Sequence, residues 1–385
     1  MGADPATPHI LHLHSGFNLG GKEARAIRLM NIWGHRARHS IVSGDPDAMG
    51  ARSVIESSIQ CDFPGETAPS LRGRPSLSRY RRLARFMAGF DLVLTYNWGA
   101  MDAVMAHRMF APFKRMPPLI HHEDGFNRDE AERLKPQRNL FRRAALARAH
   151  ALVVPSKRLQ TIALSDWHQP ARRVHLIPNG IDVSAYAMAP QPDAIPGFAR
   201  APGKTVIGTV AGLRAVKNLP RLVRAVAPLA DKVQLVIVGE GPEHDAIARQ
   251  ASDIGFDGLC LPGFLPEPWK YIGLFDIFAL SSDSEQFPIS LIEAMAAGLP
   301  VVSPAVGDVM DMVAEPNRPL IRAKGDEVAL ASGLAPLVAD PEKRHRIGQA
   351  NRDKAGSCYD EADMVSRYAA LYGRAMGRPD ALMTG

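Results

Sequence analysis

Short runs rich in Val, Ile and Leu return at intervals along the chain, and each gives way to a segment with helical spacing. HILHL, DLVLTY, LIHH, ALVVPS and VHLIPNG fall in the first half, and TVIGTV, VQLVIVG, GLCLPGF, IFALSS and PVVSPA in the second. A strand followed by a helix before the next strand begins rejoins its sheet in parallel, so the alternation restricts the chain to parallel sheets covered by helices on both faces. Between Tyr186 and Gly203 the pattern stops at YAMAPQPDAIPGFARAPG, whose prolines suit neither a regular helix nor a central strand. With 385 residues, more than one core usually serves, the expected α/β architecture is two doubly wound parallel-sheet domains. They span 1–185 and 204–358, joined by a Pro-rich linker at 186–203. The last helical pattern, DEADMVSRYAALYGRAM, reads as a cap on the second domain. Ligands of such sheets sit outside the carboxyl ends of the strands, and here two such edges would face each other across a cleft.

Composition narrows the setting. The longest apolar runs, such as VQLVIVG, fall well short of the roughly 20 residues a bilayer needs, and the opening MGADPATPHILHLHSG lacks the basic start and apolar core of a secretion signal. Cys61, Cys260 and Cys358 are far apart and form no Cys-x-x-Cys pair, which favours a reducing compartment, hence the cytoplasm, without disulfide or zinc. The net charge of +6 is uneven. Residues 1–190 hold 26 Lys and Arg against 16 Asp and Glu, and the remainder 20 against 24. Much of the excess lies in LRGRPSLSRYRRLARFMAGF and RLKPQRNLFRRAALARAH, where arginines alternate with apolar residues at helical spacing. Arg79, Arg81, Arg82, Arg85, Arg142 and Arg143 belong either to solvated helix faces or to a surface drawn to anionic lipid. No nucleic-acid partner is expected.

Three loops carry the chemistry. In SEQFPISLIEAMAAGLPVV, at 284–302, Glu285 precedes a helix start at Pro288 and Glu293 follows about one and a half turns later. Two carboxylates so spaced touch different parts of one extended ligand, and free backbone N–H groups at the helix start suit an anion. A surface loop with one Glu near a helix N-terminus is the plain alternative. In GTVAGLRAVKNLPRLVRAV, Arg214 offers a planar fork and Lys217 a point charge after a strand. In HSGFNLGGKEARAIRL, Gly20 and Gly21 open a helix after the first strand. Each loop lies after a strand and before a helix, and together they point to a ligand bearing phosphates and hydroxyls.

Glu285 to Glu293 resembles the E-x7-E motif of the retaining glycosyltransferases of family 4. LIPNGID at 176–182, LVIVGEGP at 235–242, LPGF at 261–264, AVGDVMDMV at 305–313 and the Gly-Gly-x-Glu of 20–23 extend the likeness in order over nearly the whole chain. The resemblance implies a GT-B fold, two Rossmann-like domains with the acceptor mainly on the first and a nucleotide sugar mainly on the second. It also implies that a C-terminal helix, 359–377, crosses back to the first domain. Residue by residue, it gives Glu293 the ribose hydroxyls, Glu285 the hydroxyls of the donor sugar and Lys217 the diphosphate. The backbone around Leu265 would meet the nucleobase edge, and Gln286, Phe287, Pro288 and Ile289 would line the donor site. His121, or His122 if the alignment slips by one, would approach the sugar. Asn97 either lines the cleft or bonds its own backbone. Two departures stand out. The family's usual Gly-Arg-Leu is Ala211-Gly212-Leu213, with Arg214 two residues later, and the Gly that usually follows the first Glu is Gln286.

The resemblance thus implies transfer of a hexose from a nucleotide-diphosphate sugar, with retained configuration, to a saccharide or lipid-linked acceptor, in cell-surface polysaccharide or glycolipid synthesis. No cofactor or metal is expected. A nucleotide-sugar epimerase of the same fold and a binding protein without turnover are the alternatives. The Asp-x-Asp in GDPDA reads as a turn around Pro46 rather than a metal motif. His9, His12 and His14 lack a further ligand for zinc, and GEGPEH is half of a dinucleotide fingerprint.

Overall fold

Strands in which every residue is apolar or small can be buried on both faces, and this chain has many. All five residues of Leu92–Tyr96 and all four of Ala151–Val154 are buried. The computed structural model describes residues 7–113, 115–126, 130 and 133–383, so residues 1–6 of the opening stretch lie outside the described part. The chain divides into two units, one formed by residues up to Pro178 together with those from Asp363 onward, the other by Asn179–Ala362.

The first unit holds a sheet of seven strands: β1 (His9–His14), β2 (Arg38–Ser43), β3 (Cys61–Asp62), β4 (Leu92–Tyr96), β5 (Leu119–His122), β6 (Ala151–Val154) and β7 (Val174–Leu176). Their order is β3-β2-β1-β4-β5-β6-β7, parallel throughout. The order reverses between β1 and β4, and at such a switch point the loops leaving the two strands diverge and open a crevice. Alternation along β4 sends Val93 into one apolar layer and Leu92, Leu94 and Tyr96 into the other. The second layer is covered partly by helix Glu361–Ala375, which buries Met364, Val365, Tyr368, Ala369, Leu371 and Tyr372. Rather than capping the second unit, this helix belongs to the core of the first.

The second unit holds six strands: β8 (Thr205–Val210), β9 (Val233–Val238), β10 (Leu259–Cys260), β11 (Ile277–Ala279), β12 (Val301–Pro304) and β13 (Ile321–Arg322). They run in the order β10-β9-β8-β11-β12-β13, again parallel, with the switch between β8 and β11. The two sheets match the expected doubly wound class. The Pro-rich segment expected as a linker is instead packed within this unit. Tyr186 and Ile195 are buried in its core beside Val206 and Tyr271, and Gln191 N–H donates to the Lys270 carbonyl at 2.7 Å. Its prolines preclude regular structure without preventing apolar anchoring.

Candidate functional site

In the second unit the loop after β11 meets the loop after β8. Asp283 N–H donates to the Val216 carbonyl at 2.8 Å, Ser281 Oγ to the Lys217 carbonyl at 2.9 Å, and Arg221 pairs with Asp283 at 2.7 Å. These braces bring residues 68 positions apart together. Lys217 Nζ bonds Glu285 Oε1 at 2.5 Å, and Ser282 Oγ donates to the same oxygen at 2.6 Å. The Lys217 and Glu285 side chains are 16% and 10% exposed, so the pair is little screened by water yet reachable.

Helix Ile289–Ala296 begins beside this pair. Pro288 occupies the position just before its first residue, and no side chain caps the start, which leaves backbone donors available. Gln286 is fixed from below: its carbonyl accepts from Asp308 N–H at 3.1 Å. Gly307 makes that contact possible, because at φ +54° a Cβ there would lie 2.5 Å and 2.6 Å from the carbonyl oxygens of Glu285 and Gln286. Gln286 Oε1 is buried without a hydrogen-bond partner among the described residues. Phe287 and Ile289 were expected in the ligand site, but their side chains turn to the core, Phe287 against Tyr359 with ring centroids 5.7 Å apart. Leu265 likewise packs on the core, while its carbonyl accepts from the Tyr271 hydroxyl at 3.3 Å.

Glu293 lies farther along the same helix, and burial pushes its carboxyl up to about 7 even though Tyr186 hydrogen-bonds to it. Arg214 is exposed, its N–H bonded to the Gly212 carbonyl at 2.8 Å. Its Nε sits 3.7 Å from where a Cβ on Gly212 would be, so the guanidinium stem folds back over the glycine. Lys217, Glu285, Ser282, Gln286 and the start of the Glu293 helix therefore form one patch at the carboxyl edge of β8 and β11. Ser282 and Tyr186 carried no sequence signal of their own. Their hydroxyls matter through partners 3 and 107 positions away.

In the first unit the carboxyl edge is also polar. Gly20 precedes helix Gly21–Trp33 in extended conformation, with Glu23 in its first turn. Lys22 pairs with Glu23, and burial lowers the Lys22 ammonium to about 8. Arg25 forks onto Asp124 at 2.5 and 2.9 Å. Asn97, at φ 55°, accepts from Asp124 N–H through Oδ1 at 2.8 Å, so its amide ties two strand ends together rather than bonding its own backbone. His121 and His122 are 0% and 1% exposed. They point to opposite faces of β5, a central strand covered on both sides. His121 Nδ1 bonds Thr95 Oγ1 at 2.8 Å, and His122 Nε2 bonds the Tyr372 hydroxyl at 2.7 Å. Neither imidazole offers an exposed edge to a sugar, which corrects the expectation from the resemblance.

The basic helices also divide. Arg79 is buried against Asp102 at 2.5 Å, and Arg142 forks onto Glu130 at 3.0 and 2.9 Å beneath Trp98, Phe126 and Trp167. Both are internal braces, unavailable to lipid. Arg81, Arg82, Arg85 and Arg143 are exposed. Among the described residues no helix is long and apolar enough to cross a membrane.

Residues 34–185 match the model of Glycosyltransferase Family 4, and residues 191–354 that of Glycosyl transferases group 1. A putative glycosyltransferase, EpsF, of Bacillus subtilis is 30% identical over 341 residues, 78% of this chain and 80% of its own. N-acetyl-alpha-D-glucosaminyl L-malate synthase of Bacillus anthracis is 24% identical over 226 residues, and the match spans 58% of this chain and 55% of that enzyme. Among solved structures, sucrose-phosphate synthase from Thermosynechococcus elongatus superposes with a TM-score of 0.75 at 20% identity, covering 96% of this chain and 99% of its own. The Anabaena protein HepE in complex with UDP-glucose superposes with a TM-score of 0.74 at 20% identity, covering 94% and 98%.

Proposed function

This chain belongs to the glycosyltransferases of group 1 and family 4 and has their GT-B fold, and from that premise we propose that it moves a hexose from a nucleoside-diphosphate sugar to a saccharide or lipid-linked acceptor with retained configuration. The observation that carries this reading is the Lys217–Glu285 pair beside the uncapped start of the helix bearing Glu293. One cation, free backbone donors and two carboxylates at different heights are what a diphosphate flanked by a ribose and a hexose requires. Lys217, Arg214 and the amides after Pro288 hold the diphosphate as negative charge develops on it. Glu285 accepts from the sugar hydroxyls and Glu293 from the ribose. The bond between the sugar's anomeric carbon and the phosphate oxygen breaks, the acceptor oxygen bonds that carbon on the same face, and the acceptor's proton passes to the departing phosphate. No metal or cofactor enters this scheme. Gly20 and Gly21 are assigned to the acceptor side, in the first unit.

Incubation with labelled UDP-glucose, UDP-galactose and GDP-mannose, with and without saccharide acceptors, tests the reading. One donor is expected to release its nucleoside diphosphate, faster when acceptor is present. Interconversion of sugars without acceptor would instead identify an epimerase, and binding of donors without any product a non-catalytic binder.

The acceptor side fits a lipid-linked substrate at an anionic membrane. Arg81, Arg82 and Arg85 share helix Leu77–Met87 with Leu77, which is 67% exposed, and Arg143 shares its helix with Leu140, also 67% exposed. Sedimentation is expected with anionic vesicles at low salt and to fall at physiological ionic strength, where exposed charges are screened over about 8 Å. Indifference to lipid charge at low salt would return these arginines to ordinary solvated faces.

A further inference from the structure

Glu285 is held asymmetrically. Two hydrogen bonds reach its carboxylate, from Lys217 Nζ at 2.5 Å and from Ser282 Oγ at 2.6 Å, and both end on Oε1. Oε2 takes neither bond. Ser282 is 1% exposed, so its hydroxyl has no water to compete for it, and it lies on the loop that the Ser281 and Asp283 bonds clamp to residues 216–217. A carboxylate anchored through one oxygen by two donors cannot turn about its terminal torsion without breaking both, and hydrogen bonds to charged groups are the stronger class.

Building on the proposed donor site, we infer that Ser282 is a positioning residue that fixes Glu285 so that Oε2 alone reads the sugar hydroxyls, and that it thereby sets which hexose stereochemistry is accepted. Lys217 cannot do this alone. In the proposed scheme its ammonium is shared with a diphosphate, and the pull of that dianion loosens its hold on Oε1 at the moment the sugar must be read. The serine hydroxyl has no such second partner. Without it Glu285 rotates between two arrangements, and a hydroxyl of inverted configuration finds an acceptor as readily as the correct one.

The test compares the parent with Ser282→Ala and Ser282→Thr, using UDP and GDP for binding and UDP-glucose, UDP-galactose, GDP-mannose and GDP-glucose for turnover. Ser282→Ala is expected to keep the parent's nucleoside diphosphate affinity within about two-fold while kcat/KM for the preferred donor falls about tenfold, the scale of one lost hydrogen bond to a charged group. The ratio between the preferred donor and its epimer should narrow by a similar factor, and Ser282→Thr, which keeps the hydroxyl, should restore both. An alanine variant with the parent's turnover and donor ratio would overturn the inference, as would one that loses diphosphate binding along with turnover. A parent that turns over none of the donors would overturn the proposed function itself, and this inference with it.

Discussion

Transfer by the Lys217→Ala protein is expected to run about 100- to 1000-fold below the parent, the usual scale for losing a preorganised donor to developing charge, and Arg214→Ala should come close to it. The reason for Lys217 is its place. It ends a tight turn, Ala215–Lys217, and its ammonium is already aimed beside the uncapped start of helix Ile289–Ala296. Arg214 sits beside Gly212. The glycine leaves open the space that a side chain would occupy, and the Arg214 side chain lies over it. A guanidinium displaced by two residues thus returns to the neighbourhood of the missing one. Arg214→Lys should recover only part of the rate, because a point charge replaces a planar fork. Steady-state rates under saturating acceptor decide. An Arg214→Ala enzyme within a few-fold of the parent would mean that Lys217 and the helix amides suffice.

The second large effect is loss of stability in acid, localised to the first unit. His12, His14, His39 and His122 are buried there around Tyr96 and Tyr372. His12 Nε2 bonds His39 Nδ1 at 3.0 Å, His14 stacks on Tyr96 at 4.0 Å, and His122 bonds Tyr372. Lys22 and Arg25 add positive charge nearby. Burial holds all four imidazoles neutral, taking His39 and His122 down to about 3 and His12 and His14 well below the usual histidine range. The unfolded chain takes up these protons below about pH 6.5 and the folded chain does not, so stability falls as pH drops through 6.5 and keeps falling toward 3. Each of the four groups adds to that fall for as long as it stays neutral in the folded chain. A domain is stable by only ~5–15 kcal/mol, so several such groups acting together weigh heavily. Tryptophan fluorescence reports it, since Trp33, Trp98 and Trp167 lie in this unit. The urea midpoint should drop steeply between about pH 6.5 and 5.5, and His39→Gln should lessen the slope. A midpoint unchanged over that range would contradict the account.

What could be read from residues alone follows the range of the interactions. The strands bearing continuous Val, Ile and Leu announced themselves, and so did the helix carrying Glu293, because periodicity and a proline are local signals. Arg38–Ser43 was missing from those runs since its buried face includes His39 and Ser40. The ladders Cys61–Asp62 and Ile321–Arg322 are too short to leave a pattern. Arg79 and Arg142 looked like surface charge because Asp102 and Glu130, their partners, stand 23 and 12 positions away. His121 and His122 looked available because only the sheet order reveals that β5 is covered on both faces. Tyr186 and Ile195 anchor a segment whose prolines suggested a tether.

In the proposed donor site Glu293 holds the nucleotide and Glu285 the sugar, so the second unit should bind a nucleotide sugar. Calorimetric titration of the parent, Glu293→Ala and Glu285→Ala with UDP and GDP separates the two roles. One of the two diphosphates should bind the parent, Glu293→Ala should lose at least about tenfold in affinity, as for hydrogen bonds to a charged group, and Glu285→Ala should stay close to the parent while losing transfer. Equal losses in the two variants, or no binding of either diphosphate to the parent, would contradict this assignment.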